Sequence, residues 1–351
     1  MPYGTLSVSD LLATQATIAQ IGEDRAFGAI QDSLDAHNRL TREILTQLAD
    51  FTTDRQKRYG GAASGTMDEI DEFGTPDAQK VVAGVTVGFP LRLYGRSVQW
   101  TRKYFQNASA MEFAAEFLDI QDSDLRNMHL QIRRAIFHPT NTTFVDKLVD
   151  NVTIYPKALI NADSTAMPVG PNGETFDGST HTHYLGTATL TAVGMTAAIE
   201  TVVEHSAMGQ PMVYINRAQE TAVRALTGFT AYTPVQIIPA TTTASVRGDL
   251  DTAQLYNRAI GIFGNQAAEI WVKPWVPANW MFIFLAGAPK PLIVRERTLG
   301  SMGLVVAADD EEHPLRARTL ENEFGVAVFN RVNGAVYYIA NATYAEPTLT
   351  L

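Results

Sequence analysis

The clearest pattern of hydrophobic and polar residues lies between residues 81 and 139. In its first half apolar and polar residues alternate, with the apolar ones at Val85, Val87, Phe89, Leu91, Leu93, Val98 and Trp100. A period of two residues predicts half-buried β-strands, and Gly84, Pro90 and Gly95 predict bends or bulges between them. Because a two-stranded ribbon is at best marginally stable in water, we expect this ribbon to lie largely on another copy of the chain.

The second half of this stretch predicts a long amphipathic helix. Ser109 and Glu112 fit a capping box, in which each side chain accepts a hydrogen bond from a backbone N–H group. Apolar residues then recur at the spacing of one helix face, at Ala114, Phe117, Leu118, Leu125, Met128, Ile132 and Ile136. His138 and Pro139 predict its end. At about 1.5 Å per residue the helix spans roughly 40 Å, which suits the spine of a domain.

A second amphipathic helix is predicted over residues 24–50, with Asp24 as its N-cap and a break near His37 and Asn38. The connection that follows, at residues 55–76, is polar and glycine-rich, with a basic cluster before an acidic one. A solvated loop is the interpretation we favour, and charge matching against a neighbouring subunit is the alternative.

Beyond residue 139 helices and strands are mixed, which indicates an α/β or α+β domain between roughly residues 195 and 305. The predicted strands are residues 144–149, 152–160, 212–215, 269–272 and 281–285. The predicted helices are residues 191–208, 218–226 with Asn216 as N-cap, and 252–263. Two further strands, at 324–329 and 334–339, flank Asn333 and Gly334, and the Asn-Gly pair predicts a hairpin between them.

Composition narrows the possible functions. The 351-residue chain contains no cysteine, which excludes disulfides, thiolate metal sites and thiol nucleophiles. Its net charge of −10 argues against a protein whose main function is to bind nucleic acid, since such proteins carry basic residues that neutralise phosphates. No apolar run is long enough to cross a membrane, and the first residues lack the features of a signal peptide, so we expect a cytosolic origin.

His181 and His183 are the residues that most resemble a catalytic site, since side chains two positions apart on a strand point the same way and could bind one metal ion. His205 and Glu204 are the nearby candidate partners. We favour a structural or surface histidine pair, and a metal site is the alternative. Phosphate-binding loops and a nucleophile elbow are absent from the sequence, so we expect neither an enzyme nor a cofactor.

An acidic run at residues 309–312 precedes His313 and Pro314. This run could bind a divalent cation or form half of a charged contact. A solvated loop is the interpretation we favour, because short acidic runs of this kind usually face water.

Taken in order, these elements resemble the major capsid proteins of tailed bacteriophages, which have the HK97-type fold. Residues 66–101 resemble the extended E-loop of that family, and VGFPLRLYGRSVQWTRKYFQNAS is similar to the E-loop of actinobacteriophage capsids. Residues 109–138 resemble the spine helix of the P-domain. FDGSTHTHYLG and VVEHSAMGQPMVYINRAQ are similar to the start of the A-domain, and TLENEFGVAVFNRVNGAVYYI resembles the strands that return to the P-domain.

The resemblance implies an α+β, HK97-like fold and divides the chain into five parts. These are an N-terminal arm with an amphipathic helix (1–57), the E-loop ribbon (58–106), the first part of the P-domain with the spine helix (107–190), the A-domain (191–305) and the P-domain return strands with the C-terminus (306–351). Within this layout His181 and His183 are expected to have no chemistry.

The resemblance further implies a structural protein of the virion capsid. Such a protein assembles in the bacterial host cytoplasm as hexamers and pentamers, which close into an icosahedral head around double-stranded DNA. The implied partners are other copies of the chain, scaffolding and portal proteins, and packaged DNA in non-specific contact. A decoration protein is a further partner that the resemblance leaves open, and no contact with a membrane is implied.

The resemblance also suggests which residues meet neighbouring subunits. The set is Phe73, Phe89, Arg92, Arg96, Trp100, Arg102, Asp309, Asp310, Glu311 and Glu312. We expect the arginines to pair with acidic surfaces such as residues 309–312, in contacts that are individually weak but repeated throughout a shell. Two alternatives stay open: an encapsulin-like nanocompartment shell that encloses an enzyme, and a soluble metal-dependent hydrolase that uses His181 and His183.

Overall fold

The computed structural model of the chain describes residues 6–60, 67–77, 84–206, 208–232, 257–312 and 315–349, and the side chains of Arg102 and Phe105 lie outside this described part. The helices are α1 (Val8–Ala13), α2 (Ile18–Ile21), α3 (Glu23–Thr46), α4 (Arg102–Asn107), α5 (Ala110–Phe137), α6 (Ala192–Val203) and α7 (Glu220–Arg224), with a 3₁₀ turn at Arg217–Gln219.

Helix α5 confirms the predicted spine. Ser109 and Glu112 form the capping box, with the Ser109 backbone N–H donating to Glu112 Oε2 at 3.2 Å and the Glu112 backbone N–H donating to Ser109 Oγ at 3.3 Å. The helix ends at Phe137, directly before His138 and Pro139. Its 28 residues span roughly 42 Å, and the helix contributes residues to two hydrophobic clusters.

Helix α3 differs from its prediction, because it begins after Gly22 rather than at an Asp24 cap and runs without a break to Thr46. His37 Nε2 lies 3.0 Å from Asp124 Oδ2, and Asn38 Nδ2 donates to the Leu304 carbonyl at 3.0 Å. These partners satisfy the polar groups on the buried side of the helix. The apolar stripe therefore continues past the positions where we predicted a break.

The strands form two main sheets and two small pairs. They are β1 (Ala49–Thr52), β2 (Gln56–Tyr59), β3 (Val85–Gly88), β4 (Arg92–Thr101), β5 (Phe144–Val145), β6 (Thr153–Ile154), β7 (Tyr184–Gly186), β8 (Gln210–Ile215), β9 (Phe229–Ala231), β10 (Arg258–Phe263), β11 (Ala268–Val272), β12 (Trp280–Ala286), β13 (Leu292–Glu296), β14 (Val305–Glu312), β15 (Leu315–Val328) and β16 (Ala335–Tyr338). The first sheet has the order β1-β13-β15-β14, with β4 also paired to β15, and the second has the order β7-β16-β12-β8-β11-β10-β9. The small pairs are β2–β3 and β5–β6.

The pairing predicted for the two-stranded ribbon is wrong. Strand β3 pairs antiparallel with β2, whereas β4 pairs antiparallel with β15, from Thr101 opposite Leu315 to Arg92 opposite Phe324. Strand β15 also pairs with β14. The alternating pattern revealed the strands, but their partners lie far along the chain and leave no local signal.

Two other predictions are also wrong. The strands that flank Asn333 do not form a hairpin, because β15 belongs to the first sheet and β16 to the second. Asn333 instead accepts a hydrogen bond from the Leu285 backbone N–H at 2.8 Å and donates to the Leu285 carbonyl at 3.1 Å, which ties this connection to β12. Residues 258–263 form β10 rather than a helix, and residues 252–256 lie outside the described part.

The remaining predicted elements are present, and most of them have bounds close to the predicted ones. Strands β8, β11 and β12 and the helix α6 lie where expected, and Asn216 accepts a hydrogen bond from the Ala218 backbone N–H as predicted for an N-cap. Strands β5 and β6 are only two residues long each, shorter than the predicted runs at 144–149 and 152–160.

The spine helix joins two hydrophobic clusters. Phe113 and Phe117 in its first half pack with Ile30 of α3, and Met128 and Ile132 in its second half belong to a cluster that reaches both sheets. Helix α6 covers the second sheet in a third cluster. The predicted domain boundaries stay a prediction, and the second sheet takes β7 and β16 from outside residues 191–305.

Candidate functional site

The segment at residues 67–77 presents large apolar side chains to solvent. Met67, Ile70 and Phe73 are 99%, 51% and 90% exposed, and they alternate with acidic residues. Asp71 forms a turn here, because its Oδ1 accepts a hydrogen bond from the Phe73 backbone N–H at 3.0 Å. Exposed apolar side chains grouped in this way indicate an interaction surface. Among the residues predicted to meet a neighbouring subunit, Phe73 is the one whose exposure fits that role best.

The sheet formed by β4, β15 and β14 offers two edges. No residue of β14 is buried, and in β4 only Trp100 is. Each of these strands has β15 as its one strand partner among the described residues. The far edge of each therefore presents backbone N–H and C=O groups that can pair with another chain.

Two residues of the predicted interface set are core residues, which corrects the prediction. Phe89 has no exposed surface and packs edge-on against Phe329, with ring centroids 5.7 Å apart. Trp100 is 3% exposed, and its Nε1 donates to Glu116 Oε2 at 2.6 Å. Side chains that the chain itself buries have no surface left for a neighbour.

The predicted arginines contact groups of their own chain. Arg96 Nη2 donates to Asp119 Oδ2 at 2.5 Å, and the guanidinium of Arg92 lies 4.7 Å from the centre of the Phe144 ring. The side chain of Arg102 lies outside the described part. Arg92 also lines a cavity of about 490 Å³ beside the end of α5, together with Arg134.

The acidic run is split between paired and exposed carboxylates. Asp309 is held by two arginines of β15: Arg316 Nε donates to its Oδ1 at 3.2 Å, and Arg318 donates to its Oδ2. The hydrogen bond from Arg316 is the main cause that lowers the pKa of Asp309. Residues 310–312 are exposed. A role for Asp310, Glu311 and Glu312 at a subunit contact stays a prediction.

Three histidines from two parts of the chain meet in what we call the histidine cluster, formed by His181, His183 and His205. The first two precede β7, and His205 follows the end of α6. Their Nε2 atoms lie 3.0 Å apart for 181 and 183, 3.0 Å for 181 and 205, and 3.1 Å for 183 and 205. His183 is fully buried, and the side chains of His205 and His181 are 1% and 18% exposed.

The surroundings of the histidine cluster orient its rings. His183 Nδ1 lies 2.6 Å from the Gly334 carbonyl oxygen, and the Phe176 ring covers His205 with centroids 4.2 Å apart. Burial lowers the pKa of His205 to about 4 and that of His183 well below its ordinary value, so both rings are neutral near pH 7. From the sequence we predicted that His181 and His183 lie side by side, with His205 as a nearby candidate partner. The structure shows that the packing of α6 on the second sheet brings His205 to them.

Glu204 adds a carboxylate to this place. Its Oε1 lies 3.6 Å from His181 Nε2 and 3.8 Å from His205 Nε2, and its side chain is 39% exposed. Burial and the carboxylates of Glu200 and Glu174 raise the pKa of Glu204. The charges near the cluster are therefore mixed: carboxylates lie on the side of Glu204, and the guanidinium of Arg331 contributes to the lowered pKa of His183.

None of the helices in the described ranges is long and apolar enough to span a membrane.

Comparison with solved structures identifies the fold. The chain is similar to a protein chain of Mycobacterium phage Patience, with 18% sequence identity and a TM-score of 0.64 over 99% of this chain and 96% of that chain. It is also similar to the capsid of a native GTA particle (14% identity, 84% and 89% coverage, TM-score 0.47) and to an encapsulin complex from Synechococcus elongatus (11% identity, 88% and 91% coverage, TM-score 0.42). No protein-family model matches the chain, and no curated protein matches its sequence.

The likeness to the phage chain spans nearly the whole of both proteins and shows the fold. The chain has the α+β, HK97-like fold that its sequence predicts.

Proposed function

We propose that this chain is the major capsid protein of a tailed bacteriophage, which assembles as hexamers and pentamers into an icosahedral shell around double-stranded DNA. The observation that carries the proposal is the near full-length fold likeness to a chain of a mycobacteriophage. A fold alone does not fix a function, so the exposed surfaces of the chain have to support the same conclusion.

The exposed surfaces support assembly. The segment at residues 67–77 presents Phe73 and Met67 almost fully to solvent, and the outer edges of β4 and β14 are open within the described residues. A contact between one of these surfaces and a different surface of the next copy is heterologous, and heterologous contacts that close by rotation build rings. Rings of five and six such subunits are the units of an icosahedral shell.

The net charge of the chain fits a shell protein that encloses DNA rather than a protein that binds specific DNA sequences. With a net charge of −10 the protein gains little from counterion release, the term that gives most of non-specific DNA affinity. Packaged DNA can then lie against the shell and leave it readily. A structural role without enzymatic activity, assembly in the host cytoplasm, and scaffolding, portal and decoration proteins as partners belong to the same proposal.

Electron microscopy of the purified protein, with light scattering on the same sample, tests the proposal. We expect closed shells or rings of five and six subunits. A sample that stays monomeric or dimeric on concentration and with added salt would contradict the proposal. Genes for portal, terminase and tail proteins beside this one would support a genome container, whereas a neighbouring gene for a cargo enzyme would support an encapsulin-like compartment.

A substitution at Phe73 tests whether the segment at residues 67–77 takes part in assembly. Phe73→Ser removes an apolar ring that is 90% exposed in the isolated chain, so it should leave the fold intact and reduce the fraction of protein in shells. Phe73→Leu is the matched control, since it keeps an apolar side chain and should assemble nearly as well as the wild type. Equal assembly of both variants, with unchanged unfolding temperature, would remove Phe73 from the contact.

A further inference from the structure

We propose that the histidine cluster is a metal site, in which Nε2 of His181, His183 and His205 bind one divalent transition-metal ion of the Zn²⁺ class. The proposal starts from the three Nε2 atoms, which lie within 3.1 Å of one another. It goes beyond the proposed function, and it departs from our expectation from the sequence that these histidines have no chemistry.

Counting protons shows that hydrogen bonds within the cluster cannot satisfy these three atoms. The Gly334 carbonyl only accepts hydrogen bonds, so His183 Nδ1 carries the proton and His183 Nε2 is left with a lone pair that points into the cluster. If His181 and His205 both donate to it, their two protons face each other. If either of them does not donate, its lone pair faces that of His183. One contact is therefore repulsive in every arrangement of neutral rings, whereas a cation accepts all three lone pairs at once.

The spacing of the nitrogens fits one ion. Zinc binds histidine nitrogen at about 2.0–2.1 Å, so tetrahedral ligands lie about 3.4 Å apart. The observed separations of 3.0–3.1 Å are a few tenths of an ångström shorter. An ion above the plane of the three nitrogens reaches all of them, with small outward movements of the rings.

The contact behind His183 is that of a metal-binding histidine, whereas His205 lacks such a contact. The hydrogen bond from His183 Nδ1 to a backbone carbonyl fixes the ring with Nε2 toward the ion, as is usual for metal-binding histidines. His205 Nδ1 is buried and has no hydrogen-bond partner, so the ring of His205 is held by its contact with Phe176 instead.

Glu204 lies beside the three histidines, but it is not one of the residues whose ligand atoms all lie within 4.8 Å of one another. Its Oε1 lies 3.6 and 3.8 Å from two of the three nitrogens, close to the spacing expected between neighbouring ligands of one ion. In this geometry the three histidines bind the ion, and its fourth position is left to a water molecule or, after a movement of that side chain, to the Glu204 carboxylate. Imidazole ligands favour zinc and its neighbours over magnesium or calcium, and the chain has no cysteine to select a softer ion.

The ion would join three parts of the fold. His181 and His183 lie on the segment before β7, His205 follows α6, and Gly334 precedes β16. A metal ion here would fix the end of α6 to the edge of the second sheet, because β7 is its terminal strand and pairs with β16. Since a bound ion stabilises the folded state that binds it, zinc should raise the unfolding temperature of the chain.

Metal analysis of the full chain tests the proposal. The protein is treated with EDTA, freed of the chelator, incubated with Zn²⁺ and passed through a desalting column, and bound zinc is then measured by mass spectrometry. We expect one zinc per chain and an unfolding temperature several degrees above that of the EDTA-treated protein. Co²⁺ in place of Zn²⁺ should give the intense visible absorption of a tetrahedral site.

Variants assign the ion to the cluster. His181→Gln removes the most exposed of the three ligands, so it should fold, and it should weaken zinc binding at least tenfold and abolish the cobalt spectrum. His138→Gln is the matched control, because His138 also lies beside a carboxylate, with Nδ1 2.8 Å from Glu346 Oε1, but outside the cluster. This control should bind zinc like the wild type.

Two results would overturn the proposal. One is a wild-type protein that retains well below one zinc per chain and whose unfolding temperature does not change with zinc. The other is equal zinc binding by the His181→Gln and His138→Gln variants. Both readouts are independent of shell formation, so a failure here leaves the capsid proposal standing, and a failure to assemble leaves this one testable.

Discussion

Replacement of the buried Arg331 by Met should be among the most destabilising single changes in this chain. Arg331 has no exposed surface. Its Nε donates to the Ala158 carbonyl at 2.6 Å, its Nη1 to Thr165 Oγ1 at 2.7 Å and its Nη2 to Asp163 Oδ2 at 2.7 Å. One guanidinium thus joins the connection between β15 and β16 to the segment at residues 158–165. Met fills much of the same volume but donates no hydrogen bond.

The size of the effect follows from burial. Removing one partner of a buried ion pair typically costs about 3–5 kcal/mol, because the groups left behind stay buried without their donor. Asp163 keeps a hydrogen bond from Asn141 Nδ2 at 2.8 Å, which favours the lower part of this range. With an unfolding entropy of about 2.1 cal/mol/K per residue, a chain of 351 residues has about 0.7 kcal/mol/K in total, so the unfolding temperature should fall by about 4–7 °C.

Calorimetry of unassembled subunits at low concentration measures this shift, since contacts within a shell would raise the apparent stability of every variant. Arg126→Met is the matched control. Arg126 is 62% exposed, its Nη2 lies 3.6 Å from Asp119 Oδ1, and such a pair contributes within about 0.5 kcal/mol. If Arg331→Met unfolds within about 1 °C of the Arg126→Met protein, the reasoning from burial is refuted.

Two further predictions concern local features. Ser109→Ala should destabilise the unassembled subunit by about 1 kcal/mol, because α5 loses its N-cap. Urea unfolding measures this loss, with Ser123→Ala in the same helix as the control. An equal loss in both variants would contradict a capping role. Asp163 should make the free energy of unfolding depend on pH. Burial alone would raise the pKa of Asp163, but hydrogen bonds from Asn141 and Arg331 outweigh burial and hold that pKa at about 2, below the ordinary 3.8. The stabilisation is then present above about pH 4 and lost as the pH falls toward 2, so Asp163→Asn should flatten the fall of the unfolding temperature over this range, and parallel curves for the two proteins would rule this out.

The elements set by near neighbours in sequence were predicted well. The capping box at Ser109 and Glu112 involves residues three positions apart, and the apolar stripe of α5 repeats within each two turns of helix. Both signals are complete within a short window of sequence. The order of such elements was enough to predict an HK97-like fold, which comparison with the phage chain then confirmed.

Strand partners were predicted poorly. The alternation around Trp100 gave the strand β4, but its partner β15 lies far along the chain and replaced the expected ribbon. The Asn333-Gly334 pair predicted a hairpin, yet the two flanking strands belong to different sheets. Alternation reports that one face of a strand is buried and carries no information on which strand lies beside it. For the same reason the buried positions of Phe89 and Trp100 could not be told from interface positions.

The sequence by itself thus determined the long helices α3 and α5, the helix α6, most strands and the absence of cysteine chemistry, and its resemblance to the HK97-type family gave the fold class. The tertiary structure decided which of the predicted contact residues are free to meet a neighbour, and it brought His205 to His181 and His183. That meeting depends on how α6 packs on the second sheet. Caps and periodicity act over a few residues, whereas strand pairing and the convergence of side chains are fixed by the burial of apolar surface throughout the molecule.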